Sequence, residues 1–272
     1  MSVSAAKSAV VIRGAGEMAS GVIRQLAAAG FQVIALEQPE PSCIRRFVCY
    51  ADAFYRGKVT VDGITAFVVN SPEEAVTAAV GRNVPVLIDP QADLLKAFKP
   101  AAVVDGRMLK ENIDTSIDMA AVVIGLGPGF VAGNNCHASV ETQRGKNLGR
   151  IFYDGGPQAD TGVPAPVNGF TSQRVLRSPA EGGFVSCCSI GDIVKSGQTL
   201  GEVGGVSVAA EIDGMVRGLI HDGVRVTPGQ KIGDVDPRCD EQLCYRMSDK
   251  AGTIGRSVLE ALKVLSKGIT RR

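Results

Sequence analysis

A glycine turn near the start of the chain constrains the fold more than any other feature. Residues 10–21 read VVIRGAGEMASG, so an apolar run ends in Gly14 and Gly16, and Ala19 follows three residues later. The first glycine permits a tight turn, the second lets the backbone approach a pyrophosphate, and the small third residue lets a helix pack close to the strand. Phosphate groups bind the free amides where such a helix begins. The pattern predicts a strand, a turn and a helix that bind a nucleotide, or a turn that only packs.

The first half of the chain alternates between strand-like and helix-like segments. Short apolar, β-branched runs occupy residues 9–12, 32–36, 64–69, 84–88, 103–105 and 120–124. Ser71 and Pro72 form a typical cap and first turn of a helix. Strands separated by segments of helix length indicate a Rossmann-like parallel sheet with helices on its faces.

Charged residues near the second strand bear on the choice of cofactor. Glu37 ends that strand 21 residues after Gly16, where an acid accepts hydrogen bonds from a ribose 2′-hydroxyl, as in NAD binding. Arg45 and Arg46 follow, and they either reach the 2′-phosphate of NADP or are solvated helix charges. Arg13 lies inside the turn and faces either an anionic ligand or solvent.

A second glycine cluster follows the sixth strand. Gly125, Gly127 and Gly129 precede the adjacent pair Cys136 and His137. Loops at the carboxyl ends of parallel strands line the ligand crevice, so these glycines are predicted to face the first turn. Cys136 and His137 are candidate catalytic residues, as a thiolate and a proton carrier. Neighbouring side chains on an extended strand point to opposite faces, so joint action requires a turn. The alternative is a buried structural cysteine beside a hydrogen-bonded histidine.

The second half is glycine-rich and contains an internal repeat. The segments 183–185, 194–198 and 200–203 match 214–216, 226–230 and 232–235. Two copies point to two β-units related by pseudo-symmetry, because a solenoid needs at least three.

The repeat resembles a lipoyl- or biotinyl-like barrel-sandwich in the run GDIVKSGQTLGEV, residues 191–203. Carrier proteins of that fold hold their modified lysine on the hairpin between the two halves. The joint here is GGVSV, residues 204–208, which lacks lysine, so no swinging arm is expected. Apolar residues at helical spacing then predict an amphipathic C-terminal helix over 253–267.

These patterns predict four segments along the chain. A Rossmann-like nucleotide-binding domain covers residues 1–130, and a glycine-rich site segment covers 131–162. A duplicated β domain covers 163–238, and a helical segment covers 239–272. The C-terminal helix suits either a homo-oligomer interface or packing within the chain.

Composition excludes several classes of partner. The formal net charge is +1, from 29 basic and 28 acidic residues, and the chain has no tryptophan. Neither nucleic acid nor a membrane surface is therefore an expected partner. Seven cysteines without a C-x-x-C pair favour a reducing, cytoplasmic location and disfavour a zinc ribbon, so no metal site is predicted.

Four stretches together resemble a known family. They are VVIRGAGEMASGV, VVIGLGPGFVAGNNCHASVETQRGKNLGRIFYDG, DTGVP and the duplicated tail that ends in KIGDVDPR. The chain is similar in them to the YqeB-like accessory proteins of the selenium-dependent molybdenum hydroxylase system. The resemblance implies a Rossmann N-terminal half and a role in maturing the molybdenum cofactor or its enzyme. Asn135 stands where the family has Asp, so a charge is not required before Cys136.

The leading functional hypothesis is an accessory protein that helps to mature a molybdenum hydroxylase. Its glycine loops would bind a dinucleotide (NAD or NADP) or the nucleotide-bearing molybdenum cofactor, and Cys136 would carry sulfur or selenium if a chalcogen is handled. The alternatives are an NAD(P)-dependent oxidoreductase of a small molecule and a non-catalytic scaffold that docks the hydroxylase. Whether the protein is an enzyme stays open at this point.

Overall fold

The structure is a computed structural model, and it describes residues 9–269. The chain forms two compact units. The first comprises Met1–Pro41, Cys49–Asp160 and Met247–Arg272, and the second comprises Ser42–Val48 and Thr161–Arg246. No helix within the described range has the length and apolar character needed to cross a membrane.

Within the described range, the first unit contains a nine-stranded sheet. Its strands are β1 (Ala9–Arg13), β2 (Gln32–Glu37), β3 (Lys58–Val61), β4 (Ile64–Val69), β5 (Asn83–Ile88), β6 (Ala102–Asp105), β7 (Val122–Leu126), β8 (Ala138–Val140) and β9 (Ile151–Phe152). Their order across the sheet is β3-β4-β5-β2-β1-β6-β7-β8-β9. The strands from β4 to β8 in that order are parallel, whereas β3 and β9 are antiparallel to their neighbours. The predicted apolar runs correspond to β1, β2, β4, β5, β6 and β7.

The α-helices of the described range are α1 (Glu17–Ala28), α2 (Ala53–Arg56), α3 (Pro72–Ala78), α4 (Leu94–Ala97), α5 (Gln242–Tyr245) and α6 (Asp249–Ile269). The predicted cap of α3 is confirmed, because Ser71 Oγ accepts a hydrogen bond from the Glu74 amide at 3.1 Å. In the first unit α1 crosses α6 at backbone contact. A Cβ on Gly21 would overlap the Ala251 carbonyl oxygen, so only glycine permits this crossing.

The second unit consists of two antiparallel sheets. One has the order β10-β17-β15-β12 and the other β14-β13-β11-β16. The strands are β10 (Val175–Arg177), β11 (Gly182–Ser186), β12 (Ile193–Val194), β13 (Thr199–Val203), β14 (Val206–Ala209), β15 (Gly214–Leu219), β16 (Arg225–Val226) and β17 (Lys231–Asp236). The repeat is visible in the pairing: β12 pairs with β15 of the other copy, and β16 pairs with β11.

The predicted fold class, a Rossmann-like parallel sheet followed by a lipoyl- or biotinyl-like barrel-sandwich, was wrong. The first sheet is mixed, because both of its edge strands run antiparallel. In the second unit each sheet carries a strand that the repeat does not contain, β10 in one sheet and β14 in the other. Residues 42–48 also belong to this unit, where the Leu219 amide donates to the Ile44 carbonyl.

Candidate functional site

The glycine turn lies between β1 and α1, as the sequence predicts. Its two glycines have different environments. Gly14 has φ +94°, and a Cβ there would lie 3.3 Å from the Arg107 Cα, so this position requires glycine. Gly16 has φ −64° and caps α1, and a Cβ there would meet no atom within 4 Å. The space in front of Gly16 is therefore open, whereas the space in front of Gly14 is filled.

The first turn of α1 begins directly at that open space. The Ser20 amide is the first to bond within the helix, donating to the Gly16 carbonyl at 2.8 Å. Gly16 offers no side chain to cap the amides of Met18 and Ala19, and amides at this position bind anions at helix N-termini. Ala19 is buried and packs close to Gly106.

Glu37 ends β2 as predicted, but its carboxylate bonds the protein itself. Oε2 accepts from the Ala15 amide at 2.7 Å, and Oε1 accepts from the Gln38 amide at 2.8 Å. Burial raises the pKa of Glu37, and these two hydrogen bonds lower it in part. The acid thus ties the glycine turn to the neighbouring strand.

Arg13 ends β1 and is buried, with an exposed fraction of 1%. Its guanidinium donates to both carboxylate oxygens of Asp114, at 2.9 and 2.8 Å, and to Thr115 Oγ1 at 2.7 Å. Thr115 in turn donates to Asp105, which ends β6. Arg13 does not point to solvent: it is buried and contacts a carboxylate of the same chain, and its contact with an anionic ligand stays a prediction.

Arg107 completes this charge network. Its Nη2 lies 2.6 Å from Asp105 Oδ2 and 2.6 Å from Asp114 Oδ1. Sequence reasoning found Arg13 but missed Asp105, Asp114 and Arg107. Asp105 had a usable signal, since it ends a predicted strand as Glu37 does. Asp114 and Arg107 lie in an irregular segment that had none.

The second glycine cluster is packed against the protein rather than open. A Cβ on Gly125 would overlap the Phe130 ring, and one on Gly129 would overlap the backbone of Glu111 and Asn112. A Cβ on Gly127 would lie 2.8 Å from Thr142 Oγ1. These close contacts explain why each position holds glycine, because a side chain would not fit there. A ligand-binding role for the three glycines stays a prediction.

The structure places Cys136 and His137 in different environments. Cys136 is fully buried in the apolar core, and burial raises its pKa to about 11. The His137 backbone bonds Val123, and its Nδ1 accepts from the Val123 amide at 3.0 Å, while burial lowers its pKa. A thiol with a raised pKa is a poor nucleophile. This geometry favours the structural interpretation of the pair.

Arg45 and Arg46 belong to the second unit. Arg45 Nη2 donates to the carbonyls of Leu243 and Arg246, and Arg46 Nη1 contacts His221 Nδ1 at 2.9 Å. Among the described residues, no group of three or more His, Cys, Asp or Glu side chains is arranged to hold a metal ion.

Comparison with known proteins gives one clear sequence relative. No family model matches the chain. It is 47% identical over 256 residues to "Uncharacterized protein YqeB" of Escherichia coli (strain K12), and the match covers 94% of this chain. The chain is therefore similar to YqeB over nearly its whole length. It spans 47% of that relative, about half of its length, so the activity of the whole relative does not transfer to it.

Solved structures match the chain with low scores. An aspartoacylase family protein from Mesorhizobium loti is 13% identical over 84% of both chains, with a TM-score of 0.28. The ectoine utilization protein EutE (DoeB) from Ruegeria pomeroyi is 12% identical over 84% of both, with a TM-score of 0.29. A succinylglutamate desuccinylase/aspartoacylase from Rhodobacter sphaeroides is 25% identical over 24% of this chain and 22% of that one, with a TM-score of 0.20. Scores this low carry no chemistry over to this chain.

These findings correct the functional hypothesis drawn from the sequence. The predicted role in maturing a molybdenum hydroxylase was wrong: no comparison supports it, since no family model matches the chain and the sequence relative is named as an uncharacterized protein. The two alternatives, an NAD(P)-dependent oxidoreductase and a docking scaffold, gain no support either. The prediction that the cofactor is NAD, NADP or the molybdenum cofactor was wrong as well. Arg45 and Arg46, the candidates for binding a 2′-phosphate, bond groups of the second unit instead.

Proposed function

We propose that the first unit binds a small phosphorylated, hydroxyl-bearing molecule, such as a sugar phosphate, at the turn between β1 and α1. The open space in front of Gly16, beside the helix N-terminus and the Glu37 carboxylate, is the observation that carries the proposal. The amides of the first helical turn suit a phosphate. The carboxylate of Glu37 suits a hydroxyl group that donates to it.

The charges around the turn restrict the ligand. Arg13 and Arg107 balance Asp105 and Asp114, so the network as a whole adds no net charge. The helix N-terminus therefore supplies most of the attraction for a phosphate, which predicts weak binding of phosphate alone and stronger binding when a hydroxyl group also reaches Glu37.

Calorimetric titration with ribose 5-phosphate and with inorganic phosphate tests the proposal. We expect ribose 5-phosphate to bind more tightly. Gly16→Val, which fills the open space, and Glu37→Gln, which replaces one carboxyl oxygen with an amide donor, should each weaken binding by about tenfold or more. Gly252→Ala serves as a control, because a Cβ there meets only the end of the Arg256 side chain. Absence of binding by the folded wild type, or undiminished binding by Gly16→Val, contradicts the proposal.

A further inference from the structure

Arg13 holds Asp114 in the geometry that proteins use to recognise a carboxylate. Nη1 and Nη2 each donate to a different oxygen, at 2.9 and 2.8 Å. Such fork-to-fork pairing is specific for planar anions. The Arg13 side chain is 2% exposed and stands at the end of a core strand, so its position is determined by the sheet.

The charge balance shows what can replace Asp114. Arg13 and Arg107 supply two positive charges, and Asp105 and Asp114 supply two negative ones. Withdrawal of Asp114 would leave one positive charge uncompensated beside a buried guanidinium. An unpaired buried charge is costly, so another anion has to take the place of Asp114.

Asp114 is the more exposed of the two acids in the network. Its side chain is 35% exposed, whereas that of Asp105 is 3% exposed and ends β6. Among residues 106–121, which join β6 to β7, the regular structure is a single short 3₁₀ turn, Ile117–Met119. Leu109 and Ile113 in this connection are 48% and 62% exposed, so a rotation of the Asp114 side chain need not disturb a buried apolar cluster there.

We propose that Asp114 occupies a carboxylate-binding site, and that the carboxylate of a small acid displaces it and binds Arg13 and Arg107. The inference extends the proposed function and rests on it for the rest of the ligand. The Arg107 Cα would lie 3.3 Å from a Cβ on Gly14, so the site adjoins the glycine turn. The ligand class is then a phosphorylated hydroxy acid, with its phosphate at α1, its hydroxyl at Glu37 and its carboxylate at Arg13.

Chemical rescue tests the carboxylate site without the phosphate site. We expect Asp114→Ala to lower the melting temperature, and sodium acetate or formate to raise it by about 2–4 °C over equal sodium chloride. Asp249→Ala is the matched control, because Asp249 forms the same two-oxygen pair with Arg144 but with its side chain 75% exposed. In Asp249→Ala and in the wild type, acetate should change the melting temperature no more than equal chloride does. Equal effects on Asp114→Ala as well would overturn the proposal. Asp114→Asn, which keeps the shape of the side chain, takes the same test if the alanine variant does not fold.

Displacement is tested by titration of the wild type, Asp114→Ala and Asp114→Asn with 3-phosphoglycerate and glycerol 3-phosphate. Removing the competing carboxylate should tighten 3-phosphoglycerate binding by about tenfold or more and leave glycerol 3-phosphate unchanged. Equal changes for both probes would count against displacement. Acetate rescue without binding of either phosphate would refute the proposed function and keep the carboxylate site. Binding of glycerol 3-phosphate without acetate rescue would refute the carboxylate site and keep the proposed function.

Discussion

The carboxylate of Glu37 accepts a hydrogen bond from the Ala15 amide, with Oε2 and the nitrogen 2.7 Å apart. This bond joins the end of one strand to the turn that follows its neighbour. Burial raises the pKa of Glu37 despite that bond and the one from Gln38, so ionising this acid costs more in the folded protein than in the unfolded chain.

Replacing Glu37 with glutamine should change how stability depends on pH. A raised folded-state pKa means that its contribution to stability is fully present below the unfolded value, 4.5, and is lost as the pH rises through the folded value. Urea unfolding between about pH 4 and pH 7 measures this. The free energy of unfolding of wild type relative to Glu37→Gln should fall as the pH rises. A constant difference would show that Glu37 titrates alike in both states.

The crossing of α1 and α6 predicts an asymmetric response to two glycine substitutions. A Cβ at position 21 would overlap the Ala251 carbonyl, so Gly21→Ala forces the helices apart and should cost about 1–3 kcal/mol. Gly252→Ala adds a methyl group where the nearest atom, Arg256 Nη1, lies 3.5 Å away. It should stabilise by about 0.5–1 kcal/mol through helix propensity. Equal effects in chemical denaturation would mean that the helices do not approach so closely.

The environment of Cys136 predicts low reactivity. Its pKa is raised to about 11 and its side chain is buried, whereas Cys187 and Cys239 are exposed. Iodoacetamide labelling followed by mass spectrometry should modify Cys187 and Cys239 first and Cys136 only on unfolding. Cys136→Ser should cost about 1–3 kcal/mol by burying a hydroxyl group, with Cys239→Ser as the neutral control. Rapid labelling of Cys136 in the folded protein would restore it as a candidate nucleophile.

The central strands and the first glycine turn could be predicted because each depends on residues that are close together in the sequence. The apolar run before Gly14 is β1, and Ser71 caps α3 as its neighbours suggest. The last two strands of the first sheet, β8 and β9, were missed, since three and two residues leave no period to detect.

The charge network around Arg13 escaped sequence reasoning for a different reason. Arg13 and Asp114 are 101 positions apart, and no spacing rule connects them. Position in the sequence also misled the prediction for Arg45 and Arg46. They follow β2 closely in sequence, yet residues 42–48 fold into the second unit. Glu37 was located correctly at a strand end, but no local pattern indicates that its carboxylate bonds the turn.

Asp114 should make the protein sensitive to acid. The hydrogen bond from Arg13, assisted by Arg107, lowers the pKa of Asp114 to about 2 from an ordinary value of 3.8. A depressed folded-state pKa contributes stability that is present above the unfolded value and is lost as the pH falls through the folded one. Between pH 3.8 and about 2 the wild type should therefore lose stability that Asp114→Asn does not possess, and the two proteins should converge.

Asp249→Asn is an informative comparison, because the carboxyl pKa of Asp249 is also lowered to about 2 but its partner Arg144 is partly exposed. Salt should weaken the contribution of Asp249 and spare that of Asp114, since solvent screens exposed pairs more strongly than buried ones. Equal salt sensitivity in acid titrations followed by circular dichroism would indicate that Arg13 is accessible to water.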